Sequence, residues 1–331
     1  MNYRPDEDAH YVAKRRQYIK RRKKKRTVIV SLICIAIAIV WVMILCTIKK
    51  LTDTYSPAET VAETSQAVET TAETVAETES GSFYANAETL QLDIPLSAVN
   101  SGSLVLVSDH LCYSIPEKTP ELVTVWGNKS ATYYVASSSM QIEKNTFALA
   151  DKMFSDYYAA TSNADYQITM GYYDAEGVVC CGEHSTGYAF DVNVYKKDGT
   201  SMRLAEACAA DEMYSWLYDH AAEYGFVLRY GKDKTGVTGM AHDPDHFRYV
   251  GAGHAQYMTE KGLSLEEYIG VLQKYPYEGE HLEFSYGDVA YEVFYVKVPT
   301  DAESVLIDVP SDVSYTLSGD NICGVVVTLY K

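Results

Sequence analysis

Apolar side chains are distributed along this chain in four regimes. Residues 27–48, opening on Thr27 and closing on Ile48, run for 22 residues without a charge, long enough to cross a bilayer as one helix. Residues 49–96 repeat Ala-Glu-Thr from Ala58, Ala62, Ala72 and Ala76 and have almost no large apolar side chains. Such a stretch has little with which to build a core, and its acidic self-repulsion predicts an extended linker. Residues 97–275 mix helical and strand-like patterns over a length that suits one well-buried domain. Within them, 142–158 predicts a helix. Met213, Trp216, Leu217, Ala221 and Tyr224 form an apolar stripe that stops at Gly225, a suitable helix C-cap, and Phe226–Tyr230 follows as a strand. Tyr188, Phe190, Val192 and Val194 alternate with Ala189, Asp191 and Asn193 at the period of a strand, which turns Asp191 away from the apolar face. After Pro276 the runs 291–298, 305–309 and Gly324–Tyr330 predict a small β-rich extension, 276–331, that packs on the preceding domain or binds a partner.

Charge gives the apolar run an orientation. Residues 1–26 hold eleven Lys or Arg against Asp6, Glu7 and Asp8. A basic block beside an apolar span stays cytoplasmic, so the reading is an uncleaved single-pass anchor with its N-terminus inside and everything after residue 48 extracytoplasmic. A cleaved signal peptide is the alternative, but the run is long for one and no Ala-x-Ala site follows. Residues 1–50 carry 13 of the chain's 28 basic groups and 3 of its 45 acidic ones, which leaves a net charge of −27 on the rest. That excludes a general nucleic-acid binder, and membrane lipid is the simpler partner for the basic block.

The candidate chemistry lies in two pieces. His184 and Asp191 fall within Glu183-His184-Ser185-Thr186-Gly187-Tyr188-Ala189-Phe190-Asp191, and His246 within Asp243-Pro244-Asp245-His246-Phe247-Arg248-Tyr249. Two imidazoles and a carboxylate make a catalytic zinc (Zn2+) ligand set with a fourth position left for water, and Asp243 is the spare carboxylate that would serve as base. Pro244 favours a turn, predicting that this segment folds back to bring the Asp243 and His246 side chains together. His242 stands four residues before His246, as in half of a helical zincin motif, but Pro244 between them and the absence of His-Glu-x-x-His make it a solvent-facing loop residue. His220, in an amphipathic helix, and His254 and His281, without partners at ligand spacing, read as core or surface residues.

His184-x-x-Gly187-x-Ala189-x-Asp191, taken with His246-Phe247-Arg248-Tyr249-Val250-Gly251, resembles the signature of the vancomycin-resistance type of D-alanyl-D-alanine carboxypeptidases. These are relatives of lysostaphin-type endopeptidases and hedgehog domains. The likeness reaches upstream to Leu104-Val105-Leu106-Val107 and downstream through Tyr224-Gly225-Phe226-Val227-Leu228-Arg229-Tyr230, spanning 97–275. It implies an α+β fold, a small antiparallel sheet with flanking helices carrying a zinc site, and hydrolysis of the terminal D-alanine of peptidoglycan stem peptides. The chain departs from the pattern at three places. Asp243 stands where the family has Glu, Asp245 where it has Trp, and Tyr173, in Met170-Gly171-Tyr172-Tyr173, where it has the arginine expected to steady the substrate. Arg229 and Arg248, with Lys232 and Lys234, are the candidate replacements.

Two further readings stand beside this one. A wall-binding or sensor domain would keep zinc for folding without turnover. Cys180-Cys181, close before His184, admits a Cys/His hydrolase, although that leaves Asp191 and His246 unexplained. The five cysteines outside the apolar run are an odd, irregularly spaced set that implies no disulfide framework.

Overall fold

The computed structural model describes residues 88–108, 111–113, 115–116, 118–173 and 182–331. The apolar run 27–48, the basic segment 1–26, the Ala-Glu-Thr repeats, His110 and Cys180-Cys181 lie outside the described residues. Among the described residues no helix is long and apolar enough to cross a membrane.

The fold mixes sheets and helices. Its central sheet contains β3 (Tyr134–Val135), β5 (Tyr166–Met170), β6 (Ala189–Tyr195), β9 (Asp243–Tyr249) and β8 (Phe226–Tyr230) in that spatial order, with β7 (Ser201–Arg203) added to β6. The expectation of an antiparallel sheet holds for every pairing except β3 with β5, which is parallel. Phe190, Val192 and Val194 of β6, with Phe226 and Phe247, turn one face onto helix α1 (Lys144–Thr161), where Ala150, Met153, Phe154 and Tyr157 are fully buried. Truncating any one of these phenylalanines to alanine costs about 3–5 kcal/mol. The opposite face carries Asp191 and His246.

Helix α1 starts two residues later than its apolar periodicity suggests, because Gln141–Glu143 is β4, paired with β2 (Leu122–Thr124). Glu143 then caps the helix, its carboxylate accepting from the N–H groups of Asn145 and Thr146. The stripe from Met213 to Tyr224 is three short pieces rather than one helix. A 3-10 turn, Glu212–Ser215, leads into α3 (Trp216–His220), which is preceded in the chain by α2 (Leu204–Ala210) and followed by a second 3-10 turn, Ala221–Tyr224. Gly225 does end it, at φ +88°, and a Cβ there would lie 2.7 Å from the Tyr249 ring.

Beyond β9 come α4 (Ala252–Lys261), α5 (Leu265–Leu272) and the strands β10 (Leu282–Tyr286), β11 (Val289–Lys297), β12 (Ser304–Pro310), β13 (Ser314–Gly319) and β14 (Gly324–Tyr330). This C-terminal part shares a core with the central sheet. Val227 and Val250 bury against Met258, Tyr268 and Leu272 of the two helices and against Leu282 and Val293 of the strands. Strand β1 (Thr89–Pro95) falls within the stretch that sequence assigns to the linker, yet it pairs with β12 along its whole length and buries Leu92 and Ile94. An alternation of three apolar residues is too short to declare a strand until a partner more than 200 residues away completes its core. Against the cysteine reading, Cys112 is disulfide-bonded; Cys208 and Cys323 are free.

Candidate metal centre

Asp191 on β6 and His246 on β9 are direct cross-strand partners. Residues so paired in an antiparallel sheet hold their Cβ atoms about 5 Å apart, and here His246 Nδ1 lies 2.8 Å from Asp191 Oδ1. His184 enters from the 3-10 turn Glu183–Thr186, its Nε2 3.3 Å from the same oxygen, and the two imidazoles stand nearly perpendicular with centroids 4.7 Å apart. Each of the three side chains offers one ligand atom, and these atoms lie within 4.8 Å of one another. Among the described residues His184 Nδ1 is buried without a hydrogen-bond partner. His184 Nε2 and His246 Nδ1 both face Asp191 Oδ1, and two imidazole nitrogens converging on one carboxylate oxygen fit a metal ion, so His184, Asp191 and His246 form a set able to hold one.

Local sequence builds this convergence. Gly187 closes the His184 turn at φ +79°, a left-handed conformation that favours glycine. A Cβ there would also meet Leu122 and Glu143 at 3.2 and 3.3 Å. Both strands that face Asp191 are irregular beside it. Between Ile168 and Met170 the pairing of β5 with β6 slips, and on β9 the segment Pro244 to His246 is set against the single residue Arg229 of β8. The turn expected at Pro244 is therefore a bulge within a strand, where a missing N–H is tolerated.

Behind the ligands lies a buried ion network that the sequence reading missed. Glu183 accepts from Arg229 Nε at 2.7 Å, sits 3.1 Å from Arg248 Nη1, and faces His246 Nε2 at 3.4 Å. Burial opposes ionisation of Glu183, but the two guanidinium groups and His246 outweigh it and hold its carboxyl well below the usual range. Burial likewise opposes ionisation of Asp191, and hydrogen bonds from His184 and His246 reverse the effect. The only signal for Glu183 in the sequence was its place immediately before His184.

Arg229 and Arg248 are completely buried. Beyond Glu183, Arg229 pairs with Glu266 at 2.6 Å, and Arg248 donates to the carbonyls of Ser103 and Val105 at 2.9 Å each. Lys234 pairs with Glu267 at 2.9 Å, Lys232 is exposed, and the half-exposed Tyr173 donates its backbone N–H to the His184 carbonyl at 3.4 Å. Asp243 lies at the exposed start of β9, bridged by Arg203 at 2.7 Å. Asp245 is buried and bonded to that same arginine, so the charge in the family's tryptophan position is matched locally. Burial pushes the Asp245 carboxyl up, and Arg203 pulls it part of the way back. His242 is exposed, its Nδ1 2.8 Å from the Tyr230 carbonyl oxygen.

Residues 151–252 match the family model described as VanY, D-alanyl-D-alanine carboxypeptidase. A D-alanyl-D-alanine carboxypeptidase of Enterococcus faecium is 29% identical over 232 residues, 70% of this chain and 65% of that protein. The bifunctional D-Ala-D-Ala dipeptidase and carboxypeptidase VanXYC of Enterococcus gallinarum is 38% identical over 91 residues, 27% of this chain and 46% of that one. The chain thus spans less than two thirds of either relative's length. In three dimensions it is similar to the vancomycin-resistance D,D-dipeptidase VanXYg, solved with a D-Ala-D-Ala phosphinate analogue, at 25% identity and a TM-score of 0.60, covering 74% of this chain and 99% of that one. The resemblance read from the two motifs is thus a resemblance to the VanY type, and the segment matched by that family model contains His184, Asp191 and His246.

Proposed function

We propose that this chain is a membrane-anchored, extracytoplasmic zinc carboxypeptidase that removes the terminal D-alanine from peptidoglycan stem peptides. The observation that carries the proposal is the convergence of His184, Asp191 and His246 inside the VanY-type segment. Relatives named for action on D-alanyl-D-alanine support the substrate class.

His184, Asp191 and His246 would hold zinc, which when bound would supply Lewis acidity toward the attacking water and the scissile carbonyl. Asp243 takes a proton from that water and returns it to the departing amine. Glu183 receives the second ring nitrogen of His246 and so fixes the orientation of that ligand. In this reading Arg229 and Arg248 hold Glu183 from within and leave the substrate's carboxylate to other groups. Residues 27–48 anchor the chain with its N-terminus cytoplasmic, and the acidic linker extends the domain away from the lipid surface.

The test is the purified full chain incubated with a stem pentapeptide while metal content is measured alongside. Zinc at one per chain, release of D-alanine and loss of release on chelation are the expected results. Zinc without release, in the unchanged chain and in Asp243→Glu, overturns the enzyme and leaves a zinc-containing wall-binding or sensor module.

A further inference from the structure

One exposed side chain grips both acidic residues that flank Pro244. Arg203, the last residue of β7 and the N-cap of α2, donates from Nη2 to Asp243 Oδ1 at 2.7 Å and from Nε to Asp245 Oδ2. Asp245 is fastened on its other oxygen, which accepts the backbone N–H of Leu204 at 3.0 Å, and its side chain is only 9% exposed. Asp243 is the open end of the chain of contacts, with 42% of its side chain exposed. Its Oδ1 also accepts the N–H of Asp245 at 3.3 Å, and both side-chain hydrogen bonds that Asp243 makes among the described residues end on Oδ1.

A buried post, a rigid fork and a half-exposed carboxylate thus lie in sequence. The planar guanidinium suits this task, since its donors diverge at fixed angles and reach two carboxylates at once, which a lysine ammonium on a flexible stem does not do. Aspartate reaches less far than glutamate, and a catalytic group displaced by about 1 Å loses on the order of 100-fold in rate, so a short base depends on being held in place. We propose that Arg203, braced on Asp245, is a positioning residue that fixes Asp243 by Oδ1 and leaves Oδ2 free to receive the proton. This inference rests on the reading of Asp243 as the base.

A double-mutant cycle in the full chain tests it. Arg203→Ala is expected to lower kcat for D-alanine release by about 10- to 100-fold, with KM within about twofold and zinc content unchanged. Arg203→Lys stays low, and in an Asp243→Ala background the same Arg203→Ala change costs less than about twofold, because its effect passes through Asp243. A rise in KM with kcat unaltered, or an equal loss in both backgrounds, overturns the inference and makes Arg203 a direct substrate contact or a structural residue. Should Arg203→Ala fail to fold, Arg203→Gln, which retains a donor toward Asp245, takes its place in the cycle. If the unchanged chain releases no D-alanine, the proposed function fails. The clamp is then read from crystal structures, where an Asp243 side chain unmoved by Arg203→Ala overturns it and a displaced one supports it.

Discussion

Glu183 and Arg229 form an ion pair with 2.7 Å between Oε1 and Nε and no more than 1% of either side chain exposed. Such a pair survives burial only because both partners are fully bonded, and removing one strands the other's charge in the interior. Arg229→Ala should therefore destabilise the chain by about 3–5 kcal/mol, measured by urea denaturation. Glu183→Gln keeps the side-chain shape but strands the Arg248 guanidinium, so it should cost stability on the same scale, about 3–5 kcal/mol. The protein that folds should bind zinc about 10- to 100-fold more weakly, since His246 loses the carboxylate behind it. Unchanged affinity in a chelator competition would remove Glu183 from the metal centre.

Removal of the ligands themselves gives a sharper outcome. Asp191→Ala and His246→Ala should each take bound zinc from one per chain to none by elemental analysis. Zinc retained by either variant would place the ion elsewhere.

Asp243 is expected to govern turnover and not metal retention. Asp243→Ala should keep its zinc and lose about 100-fold or more in kcat for D-alanine release. If release proceeds at the unchanged rate, another group handles the proton.

Acid sensitivity of the fold is expected to trace in part to His254. Its ring is buried between the Tyr268 hydroxyl at 2.7 Å and Thr328 Oγ1 at 3.0 Å, and burial lowers its pKa from 6.5 to about 4. The folded chain therefore binds fewer protons here than the unfolded one. Stability from this site is complete above about pH 6.5, declines by up to about 3 kcal/mol as pH falls to 4, and levels off below. Denaturation series at pH 7 and pH 4.5 should show a smaller difference in His254→Gln than in the unchanged chain. Parallel losses in the two would assign the acid sensitivity to other groups.

Membrane attachment through residues 27–48 predicts that the full chain sediments with membranes and resists alkaline extraction. A chain starting at residue 49 should stay in the supernatant, and sedimentation of that chain would transfer the attachment to another part.

His184, Asp191 and His246 were legible as candidates because each is a ligand-type side chain in a short local pattern. The alternation around Phe190 places Asp191 on a polar face, and Gly187 marks the turn before it. Glu183 was not legible. One acidic residue among 45 acquires meaning only when two buried arginines 46 and 65 residues onward close on it. Arg229 and Arg248 show the reverse case, since both looked available to a substrate in sequence and are enclosed in the fold. Pro244 suggested a turn because proline is judged by its own φ, and only the pairing of β8 with β9 reveals that an uneven register accommodates it in a strand.

What the chain determined alone was local: strand alternation around Phe190, the stop at Gly225, the three strands after Pro276 and the candidate metal-holding groups His184, Asp191 and His246. These follow from side-chain periodicity and donor chemistry within a few residues. Tertiary structure decided which charges face one another. Arg203 is 40 residues from Asp243 and Glu183 is 63 from His246, and cross-strand register sets those separations. Ion pairing depends on distance in space, so the role of each charge was determined only when the strands had aligned.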